Sequence, residues 1–123
     1  DGKDITIFCA GTMVYHSLEA AKILETKNIS TKVVNMHTIK PIDKVAIDEA
    51  CNSKLIVSVE EHNVIGGLGS AIAEYKSSLN KCPKQLILGI KDTYSKGGSY
   101  KHLLTKNRLT QEKIIEDILK EYN

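Results

Sequence analysis

The sequence predicts an α/β fold of three layers, an α/β/α sandwich in which a parallel sheet of four strands lies between helices. Three observations carry this. Four short runs are rich in Ile, Val and Leu; the segments between them place apolar residues at helical spacing; and the two kinds alternate along the whole chain with short connections. Parallel strands joined through helices require right-handed crossovers, which put helices on both faces of the sheet.

The first strand is expected over Ile5 to Ala10, followed by Gly11-Thr12 and a helix whose stripe is Val14, Leu18, Ala21 and Leu24. Lys32 to Met36 gives the second strand. Ile47, Ala50 and Cys51 mark a shorter helix after Pro41-Ile42-Asp43, with Asp43 placed as its N-cap. The third strand, Leu55 to Val59, is too apolar for a sheet edge. A third helix carries Leu68, Ala71, Ile72, Tyr75 and Leu79 and stops before Asn80-Lys81-Cys82-Pro83. Leu86 to Ile90 is the fourth strand. The last helix spans Gln111 to Tyr122, with Ile114, Ile115, Ile118, Leu119 and Tyr122 on one face and Thr110 as cap. Lys91 to Ser99 is expected as a polar surface loop able to move, and a short helix over Tyr100 to Lys106, capped by Ser99 and ended by Asn107.

At 123 residues the chain fits one domain, taken as 1–123. A net charge of +2, with lysines interleaved among Asp and Glu and no basic run with aromatics, argues against nucleic acid as a partner. The apolar runs are far shorter than the roughly 20 residues a bilayer span needs, so no membrane partner is expected, and the expected location is the cytoplasm. The chain opens at Asp1 without methionine and enters a strand almost at once, as a fragment would. Cys9, Cys51 and Cys82 are odd in number and widely spaced, so they are read as reduced structural thiols, with neither a disulfide framework nor a metal site. His16, His37, His62 and His102 are too scattered to suggest ligation, and His16 and His102 are expected at the surface.

Function points to Val59-Glu60-Glu61-His62-Asn63-Val64-Ile65-Gly66-Gly67-Leu68-Gly69-Ser70, where a buried strand runs into acidic residues, a histidine, glycines and a helix. Ligands and partner domains of parallel α/β sheets meet such carboxyl-end loops. The glycines invite a dinucleotide reading, but Ile72 stands where the motif needs Gly or Ala, and two carboxylates would repel phosphate. Close backbone packing or a left-handed turn explains them better. Glu60 and Glu61 are successive in an extended segment and point to opposite sides, so they do not share a substrate. One is expected at a crevice or domain boundary and the other in a local hydrogen bond; a solvated acidic strand end is the competing reading. His62 has no adjacent nucleophile, and holding the loop or touching another domain is favoured over catalysis. His37 and Asp92 follow the second and fourth strands, where lining the sheet edge and ordinary turn chemistry fit equally well.

Taken together, Gly11-Thr12-Met13-Val14, Asn35-Met36-His37-Thr38-Ile39-Lys40-Pro41-Ile42-Asp43, the Val59-to-Ala71 stretch and Gly89-Ile90-Lys91-Asp92 resemble the C-terminal domain of transketolases, and this ordered set covers nearly the whole chain. The glutamate-histidine-glycine stretch is shared with related thiamine-diphosphate enzymes, including 1-deoxyxylulose-5-phosphate synthase and the pyruvate dehydrogenase β subunit. The Asn35-to-Asp43 segment looks more like transketolase, especially the type whose halves are separate polypeptides. Lys91, where proline is common, and Lys96-Gly97-Gly98 depart from the pattern.

The resemblance implies a sheet order 2-1-3-4, with a first, antiparallel strand lying before Asp1. That order sets Gly11 and Thr12 beside the Glu60-to-Gly67 loop. It implies part of a transferase that moves a two-carbon ketol unit between sugar phosphates in the pentose phosphate pathway. Thiamine diphosphate and Mg belong to the complete enzyme and are bound by preceding pyrophosphate- and pyrimidine-binding domains, in the same chain or a separate subunit. This chain has no Gly-Asp-Gly metal-diphosphate motif, so no catalytic, cofactor or metal residues are assigned to it and it is expected to be inactive alone. Glu60, Glu61, His62, Asn63, Gly66, Gly67 and Gly69 are the candidate domain or dimer interface, and Gly11, Thr12, His37 and Asp92 the crevice-flanking candidates. A homodimer is implied for the complete enzyme. The alternatives are the C-terminal domain of 1-deoxyxylulose-5-phosphate synthase, or a free-standing small-anion-binding module using the glycine loop.

Overall fold

Alternation along the strands decides which side chains meet which helix layer. The structure, a computed structural model, describes residues 3–36, 42–63, 67–90 and 110–123, with Glu61, His62, Asn63 and Ile90 described by backbone alone. In chain order the elements are β1 (Ile5–Cys9), α1 (Met13–Thr26), β2 (Thr31–Asn35), α2 (Lys44–Ala50), β3 (Leu55–Asn63), α3 (Leu68–Lys76), β4 (Gln85–Ile90) and α4 (Gln111–Tyr122). All pairings are parallel and the order is β2-β1-β3-β4. The expected fold class and strand order are both found.

The central strands bury both faces. Ile5, Ile7, Cys9, Leu55, Val57 and Val59 pack under α1 and α4 with Leu24, Ile114 and Ile118. Phe8 and Ile56 face the other way, against Ile47 and Ala50 of α2 and Leu68 and Ile72 of α3. Each such side chain contributes about 1.5–3 kcal/mol relative to exposure. The expected caps are present: the Asp43 carboxylate accepts from Ala46 N–H at 3.1 Å and the Thr110 hydroxyl from Lys113 N–H at 3.4 Å. The end of α1 is a Schellman turn that apolar periodicity does not reveal. Asn28 takes φ +63°, its N–H bonds Glu25 O, and Ile29 N–H reaches back to Leu24 O.

Three expectations need correction. The buried face of α1 is Met13, Ser17, Ala20, Ala21 and Leu24, while Leu18 is 46% exposed. The stripes through Met13 and Val14 differ by one residue, and an apolar-only stripe overlooks that Ser17 sits under the sheet. His16 is half-buried rather than on the surface, with its Nδ1 enclosed and unpaired. Helix α3 ends at Lys76, so Leu79 lies in the turn beyond it. The expected loop at 91–99 and short helix at 100–106, with His102, lie outside the described residues.

The cysteine reading is also overturned. Cys51 and Cys82 are joined as a disulfide, with Cα atoms 4.6 Å apart, and Cys9 alone is free and buried. The reason is topological. Adjacent parallel strands β3 and β4 start side by side, so the helix-to-strand connections feeding them run together and bring distant cysteines into contact.

Candidate functional site

Strand periodicity aims Glu60 at α3. Ile56 and Ser58 face the α2–α3 layer, and the next residue of that parity is Glu60, only 2% exposed. Its carboxylate closes the start of α3: Oε1 accepts the Leu68 N–H and Oε2 the Gly69 N–H, both at 2.7 Å. These are amides a helix N-terminus leaves without internal partners, and the anion also meets the positive end of the helix dipole. Glu60 is thus in a local hydrogen bond, while the Glu61 side chain lies outside the described residues.

Beyond Val59 the strand changes character. Val59 pairs with Leu88 and Asn63 with Ile90, so β3 advances four residues while β4 advances two. Such an irregularity bends a strand and re-aims the residues beyond it. The backbone of Glu61, His62 and Asn63 completes β3 through this bend. Gly66 lies outside the described residues; Gly67 is buried as the N-cap of α3, in extended geometry.

Gly69 explains itself by contact. A Cβ there would lie 2.7 Å from both Ile87 Cγ2 and Ser58 Oγ. Helix α3 can therefore approach the sheet only over a glycine. Gln85 adds a brace that sequence reasoning missed, its Nε2 donating to Gly69 O at 3.0 Å and to Ser58 Oγ at 3.4 Å. Its Oε1 is enclosed and unpaired. The available signal was position: Gln85 begins β4 on the same face as Ile87, where a polar residue must find partners.

Of the crevice-flanking candidates, Gly11 and Thr12 follow Cys9, which pairs with Val59, so they lie at the same sheet edge as Glu60. Both are exposed, and Gly11 takes φ +60° with open space around it, a left-handed turn into α1. His37 and Asp92 lie outside the described residues. Among the described residues no group of three His, Cys, Asp or Glu is placed to hold a metal ion, and no helix is long and apolar enough to cross a membrane. A phosphate at α3 would have to displace Glu60 from the Leu68 and Gly69 amides, which argues against an anion-binding module built there.

Comparison with known proteins agrees with this architecture. The family described as "Transketolase, C-terminal domain" matches residues 1–114. The chain is 40% identical over 121 residues to a protein named as a transketolase C-terminal section from Methanocaldococcus jannaschii, covering 98% of this chain and 38% of that protein. It is 38% identical over 122 residues to a 1-deoxy-D-xylulose-5-phosphate synthase from Halothermothrix orenii, covering 98% of this chain and 19% of that enzyme. Among solved structures, a split-gene transketolase, an inactive β4 tetramer, superposes with a TM-score of 0.89 at 38% identity, over 98% of this chain and 39% of that one. The chain thus spans well under half the length of these relatives. Matched over most of its length by the family and by these proteins, the chain belongs to the transketolase C-terminal domain family.

Proposed function

We propose that this chain is the C-terminal structural lobe of a transketolase, the thiamine-diphosphate enzyme that moves a two-carbon ketol unit between sugar phosphates, and that it supplies contacts while other domains supply the chemistry. The observation that carries this reading is Glu60. Its buried carboxylate uses the Leu68 and Gly69 amides to shape the chain around α3, so the start of that helix is built for internal order. The described residues do not fit a metal-diphosphate site: those amides are engaged and no carboxylate, histidine or cysteine cluster accompanies them.

In this reading Glu61, His62, Asn63 and Gly66 meet the pyrophosphate- and pyrimidine-binding domains, which hold thiamine diphosphate and Mg, and the buried Glu60, Gly67 and Gly69 hold that surface in place from within. Gly11, Thr12, His37 and Asp92 flank it. The likeness to a split-gene transketolase supports a partner section on a separate subunit; a homodimer of the complete enzyme is what the family resemblance implies. A second reading, the C-terminal domain of 1-deoxyxylulose-5-phosphate synthase, is supported by the 38% identical relative. The complete polypeptide separates them: this segment makes up 38% of the transketolase section and 19% of the synthase.

The test is activity with a ketose- and aldose-phosphate pair, thiamine diphosphate and Mg. The chain alone is expected to give no ketol transfer, and the complete protein with its partner section to give turnover. Turnover by the chain alone overturns the proposal.

A further inference from the structure

Cys51 and Cys82 hold corresponding places in two successive connections. Cys51 is the C-cap of α2, ahead of β3, and Cys82 precedes β4, the parallel neighbour of β3. Ile56 pairs with Gln85, so both cysteines lie a few residues before one paired rung. Their 4.6 Å Cα separation lies within the span a disulfide bridges without backbone movement. The bond encloses a sequence separation of 31 and adds a covalent tie to the contacts between α2 and α3, where Tyr75 Oη donates to Asp48 at 2.8 Å and Lys44 lies over the Tyr75 ring.

The two sulfurs are not equivalent. Cys82 helps line an open groove of about 480 Å³ between α3 and β4, and its sequence neighbour Lys81 is exposed, while Lys84 pairs with Glu121 at 2.6 Å. That opening gives a small-molecule disulfide a path to Cys82. Cys51 sits at the carboxyl end of α2, where the helix dipole disfavours an anion. Cys9 is a built-in reference. It is fully buried, and burial pushes its thiol up.

We propose that Cys51 and Cys82 form a reversible thiol–disulfide couple that exchanges with small-molecule disulfides, Cys82 attacking and Cys51 resolving. The Cys82 thiolate attacks one sulfur of a disulfide RSSR, forming a mixed disulfide and expelling RS⁻. The Cys51 thiolate then attacks the Cys82 sulfur, closing the protein bond and expelling the second RS⁻. The protein loses two electrons and two protons, and RSSR becomes two RSH. A dithiol reverses both steps. Closing the bond ties α2 to the start of β4, so the couple sets the stability of the α2–α3 layer.

The experiment equilibrates the chain in mixtures of reduced and oxidised glutathione, alkylates free thiols, weighs the products and records thermal melting. Cys51 and Cys82 should be protected together in one two-electron step, and Cys9 should react only on unfolding. Reduction should lower the melting midpoint by about 10 °C. Cys51→Ser should trap a glutathionyl adduct on Cys82, about tenfold faster than Cys82→Ser traps one on Cys51. Alkylation of both thiols under full oxidation, or coincident melting of the two forms, would overturn the couple. Equal trapping rates would overturn the assigned roles. The wild-type titration and melts decide the first question even where a single variant fails to fold.

Discussion

The two ends of the sheet are fastened in different ways. At the amino end the ties are numerous and mostly near solvent. Asp4 accepts the Ser30 N–H at 2.8 Å and pairs with Lys54 at 3.2 Å, its carbonyl takes the amides of Lys54 and Leu55, and the Cys51–Cys82 bond lies alongside. Among the described residues at the carboxyl end, the buried carboxylate of Glu60 holds the start of α3, which Gln85, from the first position of β4, and the close approach over Gly69 brace. Redundant exposed contacts tolerate change, because solvent replaces what is lost; a buried anion between two amides has no substitute. Among the described ties, the one beneath the candidate contact surface is therefore the costliest to remove.

The strongest way to break this asymmetry is Glu60→Ala. It leaves two enclosed amides without acceptors and is expected to cost about 3–5 kcal/mol, measured as the shift in denaturant midpoint. A change within 1 kcal/mol would mean that solvent reaches the start of α3. Gly69→Ala ranks next, at about 1–3 kcal/mol, because the new methyl meets β-branched Ile87 and buried Ser58 rather than flexible side-chain ends. If it unfolds no earlier than the wild type, the approach of α3 to the sheet is looser than its geometry implies.

The smallest effect sharpens the amino-end side. The Ser30 N–H, and then Lys54, hold the Asp4 carboxyl below its ordinary value of 3.8. A depressed carboxylate stabilises the fold above its unfolded value, and that contribution is lost as pH falls below it through the folded value. Stability measured from about pH 6 down to about pH 2 should thus fall at the acid end less steeply in Asp4→Asn than in the wild type. Equal acid slopes would remove Asp4 from the account.

Much of this was legible in the sequence, for identifiable reasons. Long periodic patterns gave the four strands, though β3 runs on to Asn63 rather than ending at Val59, and α4 with its bounds, because burial on one face imposes the spacing; the caps at Asp43 and Thr110 were read from residue type. Parity along β3 put Glu60 and Glu61 on opposite sides but left open which of them turns inward. The face of α1 was misjudged because a buried serine breaks an apolar count, while exposed Leu18 satisfies it. The Cys51–Cys82 bond was missed because sequence spacing says little about two connections made neighbours by a parallel sheet. Its signal was their matching position before successive strands. The partners of Glu60 depend on where the chain re-enters α3, and no single-residue pattern encodes that.

The central claim is that this lobe orders a contact surface through Glu60 while the cofactor is held by other domains. Calorimetric titration of the chain with thiamine diphosphate and Mg²⁺ tests it most directly. The account predicts no saturable heat from the chain alone. Saturable one-to-one binding that Glu60→Gln abolishes would contradict it.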